Sequence, residues 1–236
     1  MMPTKALASA LSAVDWNSNA NEFLADALTC EKIASCNMSL ALWAHQIELE
    51  EAGNPALSFL REMQISGQHV AALCALALYK PAAASMRTVV ESCLYYSYFR
   101  THPSELATLV RSSKYFTDKY SILEYHKEHT PKFSERQQAL GLISLLNPWY
   151  SEVSAIVHGQ IPGSWTGPTE LAKTKQEASA RSKTADMFDR GVQIVNFTIL
   201  STFADEIWHA VSPASKGLFL KGLSGPQKTL LGLDGA

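Results

Sequence analysis

The chain lacks most of the features that announce an activity. Its four cysteines, Cys30, Cys36, Cys74 and Cys93, form no CxxC pair, which excludes zinc ribbons and dithiol redox motifs. Each falls in a helix-like segment, where a free thiol behaves as a small buried apolar group; unpaired thiols point to a reducing compartment. There is no Walker-type glycine loop, no GxGxxG after a strand, no GxSxG and no HExxH, so the common signatures of NTPases, dinucleotide folds, esterases and zinc proteases are absent. The nearest approach, GLSGPQKT at 222–229, has the wrong spacing and no strand before it. No run approaches the roughly 20 apolar residues of a membrane span. The opening MMPTKALASALSAVDW is too polar for a secretory signal. Charge is also scarce: charged residues are 18% of the chain and the net charge is −2, so no general affinity for nucleic acid is expected. The expectation is a cytoplasmic protein off the membrane, with no metal site and no cofactor.

What is present is helix signal. Hydrophobic residues are 47% of 236, enough for one large domain or a core domain with an added lobe. Segments rich in Ala and Leu repeat with the helical period, and few stretches alternate with period two. The pattern predicts helices at 19–51, 54–79, 81–100, 104–129, 132–146, 148–158, 176–211 and 213–222. Prolines mark the breaks. Asn54-Pro55, Asn147-Pro148 and Ser212-Pro213 each set a polar cap before a proline at the first helical position, and Lys80-Pro81 keeps the proline without the cap. The longest irregular piece is 159–168. Long helices joined by short turns imply an all-α fold, an antiparallel up-and-down helical bundle with an extra N-terminal helix and a short C-terminal helix. The expected division is 1–55 as an N-terminal extension, 56–211 as the bundle and 212–236 as a C-terminal helix and tail.

Two predicted helices carry polar residues that need a reason. The segment PAAASMRTVVESCLYYSYFR, 81–100, is apolar or small nearly all round and reads as the most buried helix. Yet it holds Arg87 and Glu91, which lie with Tyr98 within about 40° of each other, Ala84 and Tyr95 beside them. An ion pair that fastens this helix to a neighbour explains them, and so does a site. On NPWYSEVSAIVHG, 147–159, Trp149, Val153 and Ile156 share one face; Ser151, Ser154, Ala155 and His158 share the opposite, small and weakly polar one. His158 falls in the last turn, where the helix dipole favours its charged form, and Gly159 follows as the left-handed cap. His158 reads either as a capping histidine or as a general acid–base or phosphate contact. His126 and His129, three apart among Glu124, Lys127 and Glu128, read as a solvated helix end rather than a metal pair. The run YYSYF at 95–99 reads as core.

Taken together, SMRTVVESCLYYSYF and, about 60 residues on, WYSEVSAIVHG resemble the pattern of HEPN-like bacterial helical proteins. The likeness is strongest to a branch in which an Arg-x-x-x-Glu helix precedes a Tyr-x-x-x-Ser-x-x-x-His-Gly helix end. It spans roughly residues 60 to 210. The resemblance implies a four- or five-helix up-and-down bundle, often dimeric. Some members are metal-independent ribonucleases of toxin–antitoxin or phage-defence systems; others are inactive and bind nucleotides or partner proteins. Active members place four to six residues between an arginine and the histidine of one helix end. Here the matching positions hold Val153, Glu152 and Ser151, so that motif is broken. One rescue is an Arg87 that faces His158 across the bundle. Arg87 then stabilises a phosphate and His158 handles a 2′-hydroxyl proton, with Ser154 or Tyr95 assisting. Tyr98 and Trp165 complete the candidate binding residues. The expected partners are a second copy of the chain, packed near the Trp165 loop, RNA or a nucleotide, and a protein of the same operon. The first expectation is a binding module; a ribonuclease built on Arg87, Glu91 and His158 is the alternative, and a purely structural subunit the third.

Overall fold

A helix starts where a side chain can satisfy its first free N–H groups, and this chain supplies such caps at points where the hydrophobic period alone runs on. Asp26 accepts from the Thr29 N–H at 3.1 Å and Asp118 from the Ser121 N–H at 2.8 Å. Each divides what the period reads as one helix. The computed structural model describes residues 2–162, 167–168 and 170–232. Their elements are α1 (Pro3–Ser12), α2 (Trp16–Ala25), α3 (Ala27–Glu50), α4 (Leu57–Ala75), α5 (Tyr79–Phe99), α6 (Pro103–Arg111), α7 (Lys119–His129), α8 (Phe133–Leu140), α9 (Leu142–Val157), α10 (Ala178–Thr202), α11 (Ala204–Ile207), α12 (Pro213–Phe219) and α13 (Gly225–Leu231). A 3-10 turn, Leu171–Lys173, precedes α10. Among the described residues there is no strand, and no helix is long and apolar enough to cross a membrane.

Several expected boundaries move: α1 and α13 lie outside every expected helix, and the helix expected at 176–211 ends at Thr202, with α11 after it. The helix expected at 19–51 is two, joined at Asp26, whose carboxylate also takes Arg181 Nε at 2.9 Å. The helix expected at 104–129 is interrupted by 112–118, between α6 and α7. The break expected at Asn147-Pro148 does not occur: α9 starts six residues earlier, behind Gly141 at φ 71°, and runs through Pro148. An interior proline costs the helix one hydrogen bond. Leu142, Leu146, Trp149, Val153 and Ile156 are all buried on one face, and that packing outweighs the loss. The Ser212 cap stands as expected, accepting from the Ser215 N–H at 3.2 Å.

α5 is the axis of the molecule. Ala82, Ala83, Met86, Val89, Val90, Cys93, Tyr96 and Phe99 are sealed along it, and it packs on α4, α9 and α10. Small residues let neighbours close in. Opposite Gly191 of α10 lies the Trp149 ring, where an added Cβ would stand 2.8 Å from Cζ2. The Trp149 indole N–H donates to the Met187 carbonyl at 2.8 Å. The N-terminal helices join the same core. Trp43 of α3 is fully buried, stacks on Phe219 of α12 with centroids 3.6 Å apart, and donates to Asn196 of α10 at 3.0 Å.

Candidate functional site

Arg87 sits midway along α5, on the stripe that faces α9. A guanidinium on such a helix must find acceptors there, and Arg87 finds three. Its Nε donates to Glu91 Oε1 at 2.9 Å. Nη2 donates to the Tyr150 hydroxyl at 2.7 Å. Nη1 stands 3.2 Å from His158 Nε2. The Tyr150 hydroxyl in turn donates to Glu91 Oε1, so α5 and α9 close a three-residue ring of hydrogen bonds, Arg87, Glu91 and Tyr150, from which His158 branches at Arg87. Arginine has no acceptor. His158 Nε2 is therefore the lone-pair nitrogen, and its proton lies on Nδ1. The Arg87 guanidinium carbon also lies 4.9 Å from the Tyr150 ring centroid.

The ring stands at the wall of a cleft of about 310 Å³. Leu94 and Ile122 form part of its lining, and the stretch Phe116–Tyr120, which enters α7, forms another part. Lys119 Nζ lies 3.8 Å from the Tyr120 ring centroid and 4.8 Å from that of Tyr150, adding a second cation beside Arg87. Phe116 is 76% exposed. Burial raises the Tyr150 hydroxyl to about 12, helped by the Glu91 carboxylate and opposed by Arg87. Burial also raises Tyr95, with Glu91 adding to it. For Arg87, burial disfavours the charge, but Glu91 outweighs it and the guanidinium titrates higher than usual. The cluster is thus a cation held to a carboxylate both directly and through the Tyr150 phenol. Arg87 and Glu91 keep about a quarter to a third of their side-chain surface in contact with solvent, 26% and 31%, so the ring is open rather than sealed.

The other candidates divide. Tyr95 lines the cleft. Ser154 does not, and its Oγ is buried without a hydrogen-bond partner. Tyr98 is not brought to the cleft; it stacks on His102, centroids 4.1 Å apart, and meets Tyr125 edge-on. Trp165 lies outside the described residues. The capping reading of His158 is also real. Gln160 N donates to the Ala155 carbonyl at 2.8 Å and Gly159 N to that of Ile156 at 3.1 Å, with Gly159 at φ 67°; these two bonds are the Schellman pair. His158 therefore ends its helix and touches Arg87 at once.

Sequence reasoning passed over Tyr150 and Lys119. Tyr150 had a signal, since it opens the Tyr-x-x-x-Ser-x-x-x-His spacing and so lies two turns before His158 near the same stripe. Lys119 had none, because the period reads straight through 112–118. The solvated end expected for His126 is corrected: its ring is 3% exposed, between the Ser97 hydroxyl at 3.0 Å and the Thr130 hydroxyl at 2.7 Å. Among the described residues no three His, Cys, Asp or Glu side chains gather to hold a metal ion. The fold and site define an all-helical protein with an Arg–Glu–Tyr cluster in the wall of a cleft and His158 against Arg87, outside the cleft's lining. In comparisons with known proteins, no family model, no curated protein and no solved structure matches the chain.

Proposed function

We infer that the protein is a HEPN-like helical binding module, an up-and-down bundle acting in the cytoplasm as a homodimer, which holds a phosphate of RNA or of a nucleotide at the Arg87–His158 edge. A place in a phage-defence or toxin–antitoxin operon, beside a partner protein, fits that reading. One observation carries it: Arg87 reaches from α5 to His158 on α9, 3.2 Å apart, on an open wall. That contact is the one by which Arg87 can stand in for the arginine missing from the single-helix motif. The Arg87 guanidinium has five N–H donors to offer an oxyanion, and Lys119, which shares the Tyr150 ring with it, adds a second charge in the cleft lining. Phe116, in the cleft lining and 76% exposed, gives a second copy an apolar contact at the site.

The same contact favours one further reading, a metal-independent ribonuclease. His158 Nε2 holds its lone pair against Arg87 Nη1; once Arg87 turns to a bound phosphate, that lone pair is released for the 2′-hydroxyl proton and Arg87 stabilises the phosphate. Titration of labelled single-stranded RNA into the full chain tests both. The Arg87→Ala variant is expected to bind at least about tenfold more weakly, the loss of one charge-assisted hydrogen bond. His158→Ala is expected to weaken binding less and to abolish any cleavage. Equal binding by wild type and Arg87→Ala would sink the reading; binding without cleavage by either protein would leave the module and remove the nuclease.

A further inference from the structure

We propose that the cleft between α7, α8 and α11 is a separate binding site for a small carboxylate or phosphate anion, with Arg136 as its anchor and Asp205 as the internal carboxylate that the ligand displaces. The cleft measures about 330 Å³, near the lower end for small-molecule sites. It lies at the Arg100 end of α5, well along the helix from Arg87.

Arg136 projects from α8 and is only 4% exposed. A charge so far out of water needs compensation, and among the described residues its one acceptor is Asp205 Oδ2, 2.9 Å from Nη2. A guanidinium has five N–H donors. Nε is buried with no partner at all. Nη1 has no acceptor among the described residues either, and Arg136 lines the cleft. Buried donors left this poorly matched are rare in folded proteins and call for a reason.

Asp205 is ill suited as a permanent partner. It stands on α11, a helix of four residues, and its side chain is 51% exposed, so a return to water costs it little. Arg100 next to it is different. It keeps Glu51, whose side chain is 13% exposed, besides the half-exposed Glu206. An oxyanion that exchanges for Asp205 leaves the charge around Arg136 unchanged and gains the free Nη1. Thr130 and His129 line the same cleft and offer it polar neighbours. His126, tied to Ser97 and Thr130 on its two nitrogens, does not compete for the ligand.

The test is an NMR titration of the full chain with inorganic phosphate and, separately, succinate, read at the side-chain Nε–H signals of the arginines, with sodium chloride as the ionic-strength control. Wild type is expected to show a saturable shift at Arg136 with one of the two anions, which tells phosphate from carboxylate. Asp205→Asn, which removes the internal competitor, is expected to bind that anion at least tenfold more tightly. Arg136→Lys, which lacks that signal and is followed by calorimetry with the same anion, is expected to bind it at least tenfold more weakly than wild type, and Arg87→Ala to leave the Arg136 shift unchanged, which separates this site from the Arg87 cleft. An affinity unaltered by Asp205→Asn, or a shift that chloride reproduces, overturns the proposal even where Arg136→Lys fails to fold.

Discussion

The Ser97 hydroxyl donates to the Leu94 carbonyl at 2.8 Å, so its oxygen is left to accept, and His126 Nε2 is the donor it meets. The Thr130 hydroxyl then donates to Nδ1. Both ring nitrogens are satisfied with the imidazole neutral. Burial, with His102 and Arg100 adding repulsion, lowers its titration to about 4. The sign follows from linkage. The folded state resists the proton that the unfolded chain accepts near the ordinary histidine value of about 6.5. The stabilisation is therefore complete above that value and is lost as the pH falls from it towards 4. A shift of that size corresponds to roughly 3 kcal/mol. Urea denaturation at pH 7 and pH 4.5 is expected to show a loss of this order in wild type and a much smaller one in His126→Asn. Equal losses in the two proteins would show that other groups set the acid limit. Nothing in EYHKEHT marks this histidine as buried, because its two partners come from α5 and from the residue after α7.

At the scale of elements, the hydrophobic period located the core helices, misplaced some of their ends and missed α1 and α13. Period counts residues that face the core, so it found the buried stripes of α5 and α9. It is blind to a side chain that caps within an apolar run, as Asp26 and Asp118 do, and it overrates a proline that packing can carry. Pro148 is exposed, so its replacement leaves no cavity. Pro148→Ala restores an N–H to the helix interior, where proline is about 3 kcal/mol worse than alanine. It also loosens the unfolded chain, which takes back up to about 1 kcal/mol. A gain of about 1–2 kcal/mol is expected, read as a higher urea midpoint with an unchanged slope. A destabilised variant would mean that the ring of Pro148 itself helps to set the approach of Tyr150 to Arg87. The site was legible to the same degree as the elements: Arg87, Glu91 and His158 stood out as polar groups on apolar or small faces, and they do meet. Lys119 and Phe116 did not stand out, since the wall they belong to exists only because α6 and α7 are separate helices.

For the whole molecule, the question is whether the first 55 residues are an added lobe or part of the core. α1 has no buried residue. α3 is different: Ile33, Cys36, Leu40, Trp43, Ala44 and Ile47 lie in one cluster with α4, α5 and α10. The cluster is tied by polar contacts as well. Asn19 of α2 accepts from the Gln176 N–H at 3.0 Å, and the Gln176 amide donates to the Cys74 carbonyl at 2.9 Å. Asp26 receives Arg181, whose side chain is 8% exposed. Removing α2 and α3 therefore strips Trp43 from Phe219, uncovers α10 and leaves Arg181 without its carboxylate. A fully buried tryptophan alone accounts for about 3–5 kcal/mol when truncated, against a total stability of some 5–15 kcal/mol for a typical domain. A fragment of residues 56–236 is expected to lack a cooperative thermal transition by circular dichroism, whereas residues 14–236 keep the melting temperature within about 2 °C of the full chain. A cooperative melt from 56–236 would show instead that the bundle is independent and that α3 only leans on it.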